Sequence, residues 1–201
     1  LVELSLQFFI VYHPIGNQVF ATAPLAGNVW LILIPFAFLL FAAEEVRKAV
    51  RQNIKEGCDV IKLYVTGEGL LRPGVPPEET MYSFEEIAVA VDEAHKRNRQ
   101  IAAHVRGNDG VKICVEAGVD VLEHATYADD DAIEMIAARK DSVFVVPGLG
   151  YHWGILEKGV ACGIPPDVMA ATEYQEEWDL GCVAMRKLKD AGGRVIPGGD
   201  Y

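Results

Sequence analysis

The stretch QIAAHVRGNDGVKICVEAGVDVLEHATYADDDAIEMIAARK, residues 100–140, decides the fold class. QIAAHV (100–105) reads as a strand and DGVKICVEAG (109–118) as a helix stopped by Gly118. VDVLEHATY (119–127) reads as a second strand. DDDAIEMIAARK (129–140) then reads as a helix whose acidic first turn suits the helix dipole. Strand and helix alternate, which is the pattern of a parallel α/β sheet.

The same alternation extends in both directions. Upstream, EEVRKAVRQNIKEG (44–57) has Val46, Val50 and Ile54 at four-residue spacing and Gly57 as a C-cap, so it predicts an amphipathic helix. DVIKLYVTG (59–67) is a strand rich in β-branched residues. Three prolines and two glycines between Glu68 and Met81 predict a long loop. Ser83 followed by Glu86 offers a capping box and opens a helix reaching about Asn98. Downstream, SVFVVPGL (142–149) predicts a strand, Pro166 to Ala191 one long helix, and GRVIPGGD (193–200) a fifth strand.

Residues 1–43 are unlike the rest. They hold one formal charge, Glu3, and no Lys or Arg. The segment shows neither clean alternation nor a sustained helical stripe. Its most apolar run, Val29 to Ala43, contains Pro35 and falls short of the roughly 20 residues a membrane span needs. No basic region precedes it, which argues against a signal peptide. Three readings stay open: a poorly matched membrane anchor, genuine buried strands, or translation of another reading frame. The expected division is therefore 1–43, an atypical apolar segment, and 44–201.

Composition narrows the function classes. The net charge is -11 over 201 residues, with no basic cluster beyond short helical mixes, so a nucleic-acid binder is excluded and a membrane partner disfavoured. Four scattered cysteines without a CxxC pair read as reduced thiols, consistent with a default cytoplasmic location.

In parallel α/β folds ligands collect at the carboxyl ends of strands. The polar residues at or near those ends are Lys62, His104, His124 and, on the last strand, Asp200. Each alone has a bland reading, a histidine hydrogen-bonded in the core or an aspartate capping a helix. Together they favour a metal site, because neutral imidazoles and a carboxylate suit zinc and similar divalent ions. A lysine inside an apolar strand is unusual, since burying an ammonium is costly unless it is paired or modified. Along the third strand, side-chain alternation predicts that Glu123 points away from His124. Around the mouth, Arg106 is positioned to meet a substrate carboxylate, and Tyr127, Tyr151 and His152 to line a pocket for a small-molecule substrate.

Residues 44–201 resemble the amidohydrolase superfamily, in its imidazolonepropionase-like and prolidase-like branch. The resemblance rests on GCDVIKLYVTGEG (57–69), MYSFEEIAVAVDEAHKRNRQIAAHVRG (81–107), AGVDVLEHATYADDDAIEMI (117–136) and GGRVIPGGDY (192–201). It implies strands four to eight of a (β/α)8 TIM-type barrel and hydrolysis of an amide or other C–N bond with one or two zinc-like metal ions. It further implies that Lys62 is carboxylated and bridges the metals, that His104 and His124 are ligands, and that Asp200 is a ligand and the catalytic acid/base. The first-strand His-x-His of that family has no counterpart here, nor have its strands one to three or its β-sandwich. A catalytically inactive remnant is therefore the alternative expectation.

Overall fold

The computed structural model describes residues 2–68, 75–171 and 174–198. The chain divides into two compact units, Leu1–Glu45 and Val46–Tyr201.

The first unit is helical, so the buried-strand reading of residues 1–43 is overturned. α1 (Val2–Tyr12) and α2 (Pro14–Phe20) are followed by α3 (Gly27–Lys55), which continues past Pro35. His13 accepts a hydrogen bond from the Ile15 amide and caps α2, with Pro14 at the first helical position where its missing N–H costs nothing. A helix apolar on all sides has no polar face, so periodicity has nothing to report. Phe8, Tyr12 and Trp30 stack on one another beside an apolar cavity of about 440 Å³ that Leu33 and Phe36 also line. By length and composition α3 is sufficient to cross a membrane.

The second unit is α/β. Residues 46–55 of α3 bury Val50 in its core and pack Val46 and Ile54 against it, the spacing that predicted the helix. β1 (Val60–Tyr64), β2 (Gln100–Val105), β3 (Val121–His124) and β4 (Phe144–Val146) form one parallel sheet in sequential order. Between them run α4 (Phe84–His95), α5 (Asn108–Ala117) and α6 (Asp130–Ala138), the crossover connections parallel strands require. α7 (Leu149–Lys158), α8 (Pro166–Ala171) and α9 (Tyr174–Asp190) complete it, so the long helix predicted over 166–191 is described as two. The fifth segment contributes one parallel bridge, Val145 to Val195, rather than a full strand; residues 199–201 lie outside the described ones.

Local chemistry explains the element ends. Ser83 and Glu86 form the reciprocal capping box of α4, and Asp129 caps α6 by accepting from the Ala132 amide. Gly118 ends α5 at φ +100°, where a side chain would be strained. The core is a layer of Ile61, Ile101, Ala103, Val105, Leu122 and Val145 from one sheet face, packed on Ile87, Val111, Ile133 and Ile136 from the helices. The opposite face, in register, carries Lys62, Tyr64, Ala102, His104, Val121 and Glu123.

Candidate functional site

Residues that pair in a parallel ladder share a face, so the register places Lys62 beside Ala102, and Tyr64 and His104 beside Glu123. Simple alternation would send His124 to the other face, with Leu122. It does not go there. His124 has φ +78° and Ala125 φ +51°, so β3 ends in a left-handed kink that turns His124 back toward His104. For non-glycine residues this backbone costs of order 1–3 kcal/mol each, the kind of strain that persists at functional sites. As a result His104, Glu123 and His124 each present a ligand-type atom, all within 4.8 Å of one another. The expectation that Glu123 points away from His124 is thereby corrected: alternation holds only while the strand stays extended.

The two imidazoles are buried, with His124 Nε2 3.1 Å from His104 Nδ1. Tyr64 stacks on His104 with ring centroids 4.3 Å apart and nearly parallel planes. Burial, reinforced by the positive charge of Arg106 and by His104 and His152, holds His124 well below the usual histidine range. The ring is therefore neutral near pH 7 and keeps a lone pair to offer.

Lys62 is not the costly buried ammonium the sequence suggested. Its side chain is 52% exposed and its Nζ lies 2.6 Å from Glu123 Oε2. Asp200 lies outside the described residues, although the segment leading to it is described: Gly198 runs so close to Val146 that a Cβ there would lie 2.3 Å from Cγ1.

Beside the histidines sits a second cluster, fully buried. Arg106 is 0% exposed; its Nη1 donates to Glu177 Oε2 at 2.6 Å and to His152 Nε2 at 2.7 Å, and its Nη2 to Glu68 Oε1 at 3.4 Å. The same His152 Nε2 also lies 3.2 Å from Glu177 Oε2, so the imidazole is wedged between the guanidinium and the carboxylate. The backbone of Arg106 adds two more links, its N–H donating to Thr66 Oγ1 and its carbonyl accepting from the Tyr127 amide. One residue thus ties together the ends of β1, β2 and β3 with α7 and α9. Burial and the Glu177 carboxylate push the Tyr127 hydroxyl far above the ordinary tyrosine range, and burial and Tyr151 do the same to Tyr174. Tyr151 is half-buried on α7 with its ring edge-on to His152 at 6.2 Å.

Sequence reasoning missed Glu177, Tyr174 and the whole of α7. Glu177 had a signal: it occupies a buried stripe of α9 with Tyr174, Gly181, Ala184, Met185 and Leu188. A glutamate in an apolar helical stripe asks for a buried partner. α7 had none, because its N-cap is Gly148 with no side-chain cap.

A parallel sheet that gathers imidazoles and a carboxylate at its strand ends defines an α/β protein whose site lies where barrel enzymes place theirs. The model of the amidohydrolase family matches residues 18–148, and the chain belongs to that family. Over 96 residues it is 41% identical to the ochratoxinase of Aspergillus niger, a match covering 48% of this chain and 20% of that protein. In structure it is similar to A. niger ochratoxinase (TM-score 0.67, 30% identity), over 79% of this chain and 35% of the other. It is similar also to a prolidase crystallised with N-methylphosphonate-L-proline (TM-score 0.71, 30% identity), over 79% of this chain and 38% of that one. The match thus spans 20% of the curated relative's length.

Proposed function

We propose that this chain provides part of the active centre of a metal-dependent hydrolase of amide bonds. The observation that carries the reading is the His104–His124 pair, two neutral-capable imidazoles 3.1 Å apart at neighbouring strand ends. In a tetrahedral zinc site with bonds of about 2.0–2.1 Å, two nitrogen ligands stand about 3.3 Å apart, close to the spacing of this pair. His104 and His124 would hold it, joined by an oxygen donor from the Lys62–Glu123 pair. The family resemblance supplies one candidate for that donor, the carbamate of Lys62, and with it room for a second ion.

When bound, a divalent ion of the zinc type supplies Lewis acidity for an amide carbonyl and for water. The chain's own residues do the rest. Asp200 accepts the proton of the attacking water and returns it to the leaving amine. Tyr127 and Tyr151 would line the pocket of a small amide or dipeptide-like substrate, while His152 is buried in the Arg106 cluster beside them. Arg106 serves that pocket indirectly: two glutamates already hold its guanidinium, so it fixes His152 and Tyr127 in place. The similar proteins, an ochratoxinase and a prolidase crystallised with N-methylphosphonate-L-proline, support ochratoxin and proline-containing dipeptides as candidate substrates.

Hydrolysis of a panel of N-acyl amino acids and Xaa-Pro dipeptides, before and after chelation, tests the proposal. Turnover that chelation abolishes and zinc restores supports it. Turnover that survives exhaustive chelation contradicts it.

A further inference from the structure

We propose that the first unit embeds in a lipid bilayer, and that hydrocarbon rather than another protein surface covers α3. The inference is independent of the metal-dependent reading and uses no residue of that site.

Three observations support it. The first is where the exposure lies. From Leu31 to Phe41 every leucine, isoleucine and phenylalanine of α3 is exposed, Ile32 by 72% and Phe38 by 70%. Successive residues stand about 100° apart around a helix axis, so this run is exposed on all sides. A second copy or a protein groove covers one stripe of a helix, whereas lipid covers the whole circumference. Gly27 to Ala43 is uncharged over 17 residues. That is about 26 Å of helix, against a hydrocarbon core of about 30 Å that thins locally at modest cost.

The second is how the unit treats its polar groups. Hydrocarbon offers no water, so each must find its partner within the protein. The last carbonyls of a helix have none in the helix itself. At the end of α1, Asn17 Nδ2 donates to the Ile10 and Val11 carbonyls at 3.1 and 2.7 Å, and Thr22 Oγ1 donates to that of Ile10 at 2.5 Å. The Phe9 carbonyl accepts from the His13 amide, and Trp30 donates its indole N–H to the Tyr12 hydroxyl. Gly16 allows α2 to come this close to α1, since a side chain there would collide with the Phe9 carbonyl. A connection bathed in water could leave these carbonyls to the solvent.

The third is the charge boundary. Residues 1–43 hold one formal charge, and residues 44–55 hold four basic side chains, Arg47, Lys48, Arg51 and Lys55, with two acidic ones. That step matches the passage from hydrocarbon to headgroups, and the basic excess suits anionic ones. The net charge of -11 that disfavoured a membrane partner is an average over the whole chain and does not describe this boundary.

Flotation of the full chain, diluted from mild detergent onto vesicles of phosphatidylcholine and phosphatidylglycerol, tests the proposal. The chain should rise with the vesicles and stay with them through an alkaline carbonate wash. Residues 1–43 should resist proteinase K until detergent is added. Ile34→Arg with Phe38→Arg, two charges in the middle of the apolar run, should lower the ratio of bound to free chain by about 100-fold or more. Ile34→Phe with Phe38→Ile keeps the apolar surface and should float like the unaltered chain, which separates apolar character from packing. The proposal is overturned if the chain stays at the bottom of the gradient, if carbonate releases it, or if the arginine variant floats equally well. A discrete dimer in lipid-free buffer that the arginine variant dissociates, without flotation, would assign a second copy to α3 and overturn it too. Zinc binding should be the same for all three chains, so failure here leaves the metal-dependent reading untouched.

Discussion

The two units are both rich in apolar residues and use them in opposite ways. In the first, Leu31, Ile32, Phe36, Phe38, Leu39 and Phe41 are all exposed, Leu31 by 76%, on consecutive turns of α3 and around its circumference. In the second, Ile87, Ile101, Leu122 and Ile136 are completely buried. The difference is one of pattern. Residues 44–201 interleave charges with apolar positions at the period of each element, so every helix has a face to bury and a face to solvate. Residues 1–43 contain a single formal charge and offer no such distinction. Apolar content becomes a core only when its periodicity matches the element that carries it.

The comparison is broken most sharply at Arg106. Arg106→Met leaves Glu68 and Glu177 buried without their cation, which costs about 3–5 kcal/mol. Chemical denaturation should show the α/β unit destabilised by that amount, and an unchanged midpoint would mean that the cluster is not what ties the strand ends together. Cys114 provides a smaller effect that depends on pH. Burial pushes its thiol from an ordinary value of 9.0 up to about 12. The unfolded chain therefore ionises first, and stability is undiminished below pH 9 and falls by about 1.4 kcal/mol per unit as pH rises from 9 toward 12. Melting curves should show the decline, and Cys114→Ala should flatten it between pH 9 and 10 from a lower starting stability, since above pH 10 the raised Tyr127 and Tyr174 hydroxyls add a slope of the same sign. Ser83→Ala removes the capping box of α4 and should cost about 1 kcal/mol in the same denaturation experiment. In the first unit, Phe38→Gln should change stability by less than about 0.5 kcal/mol, since the ring is exposed and no core is lost. It should also lower the mass seen by light scattering, because exposed apolar surface drives association. A large loss of stability would show that α3 is packed after all.

Much of the second unit was legible. Four of the five strands, the capping box and the Gly118 stop follow from β-branched runs and from turn and cap chemistry, which act over a few residues. Lys62, His104 and His124 were singled out because strand ends are where such folds put their chemistry, and the structure brings the two histidines together. What escaped was set by single backbone angles or by distant partners. No local pattern around Glu123-His124 announces a positive φ, so alternation gave the wrong direction for Glu123 relative to its neighbour. The pairing of Lys62 with Glu123 and of Arg106 with Glu177 spans 61 and 71 positions and becomes visible only when the elements pack. The helices of the first unit escaped for the opposite reason, a pattern too uniform to carry a period.

The proposed function stands on His104 and His124 holding one metal ion between them. Its most direct test is the stoichiometry of zinc bound to the full chain, measured by calorimetry against the His104→Ala, His124→Ala double variant. At least one equivalent of zinc is expected on the unaltered chain and none at the same concentration on the double variant. Equal binding by both, or by neither, would contradict it.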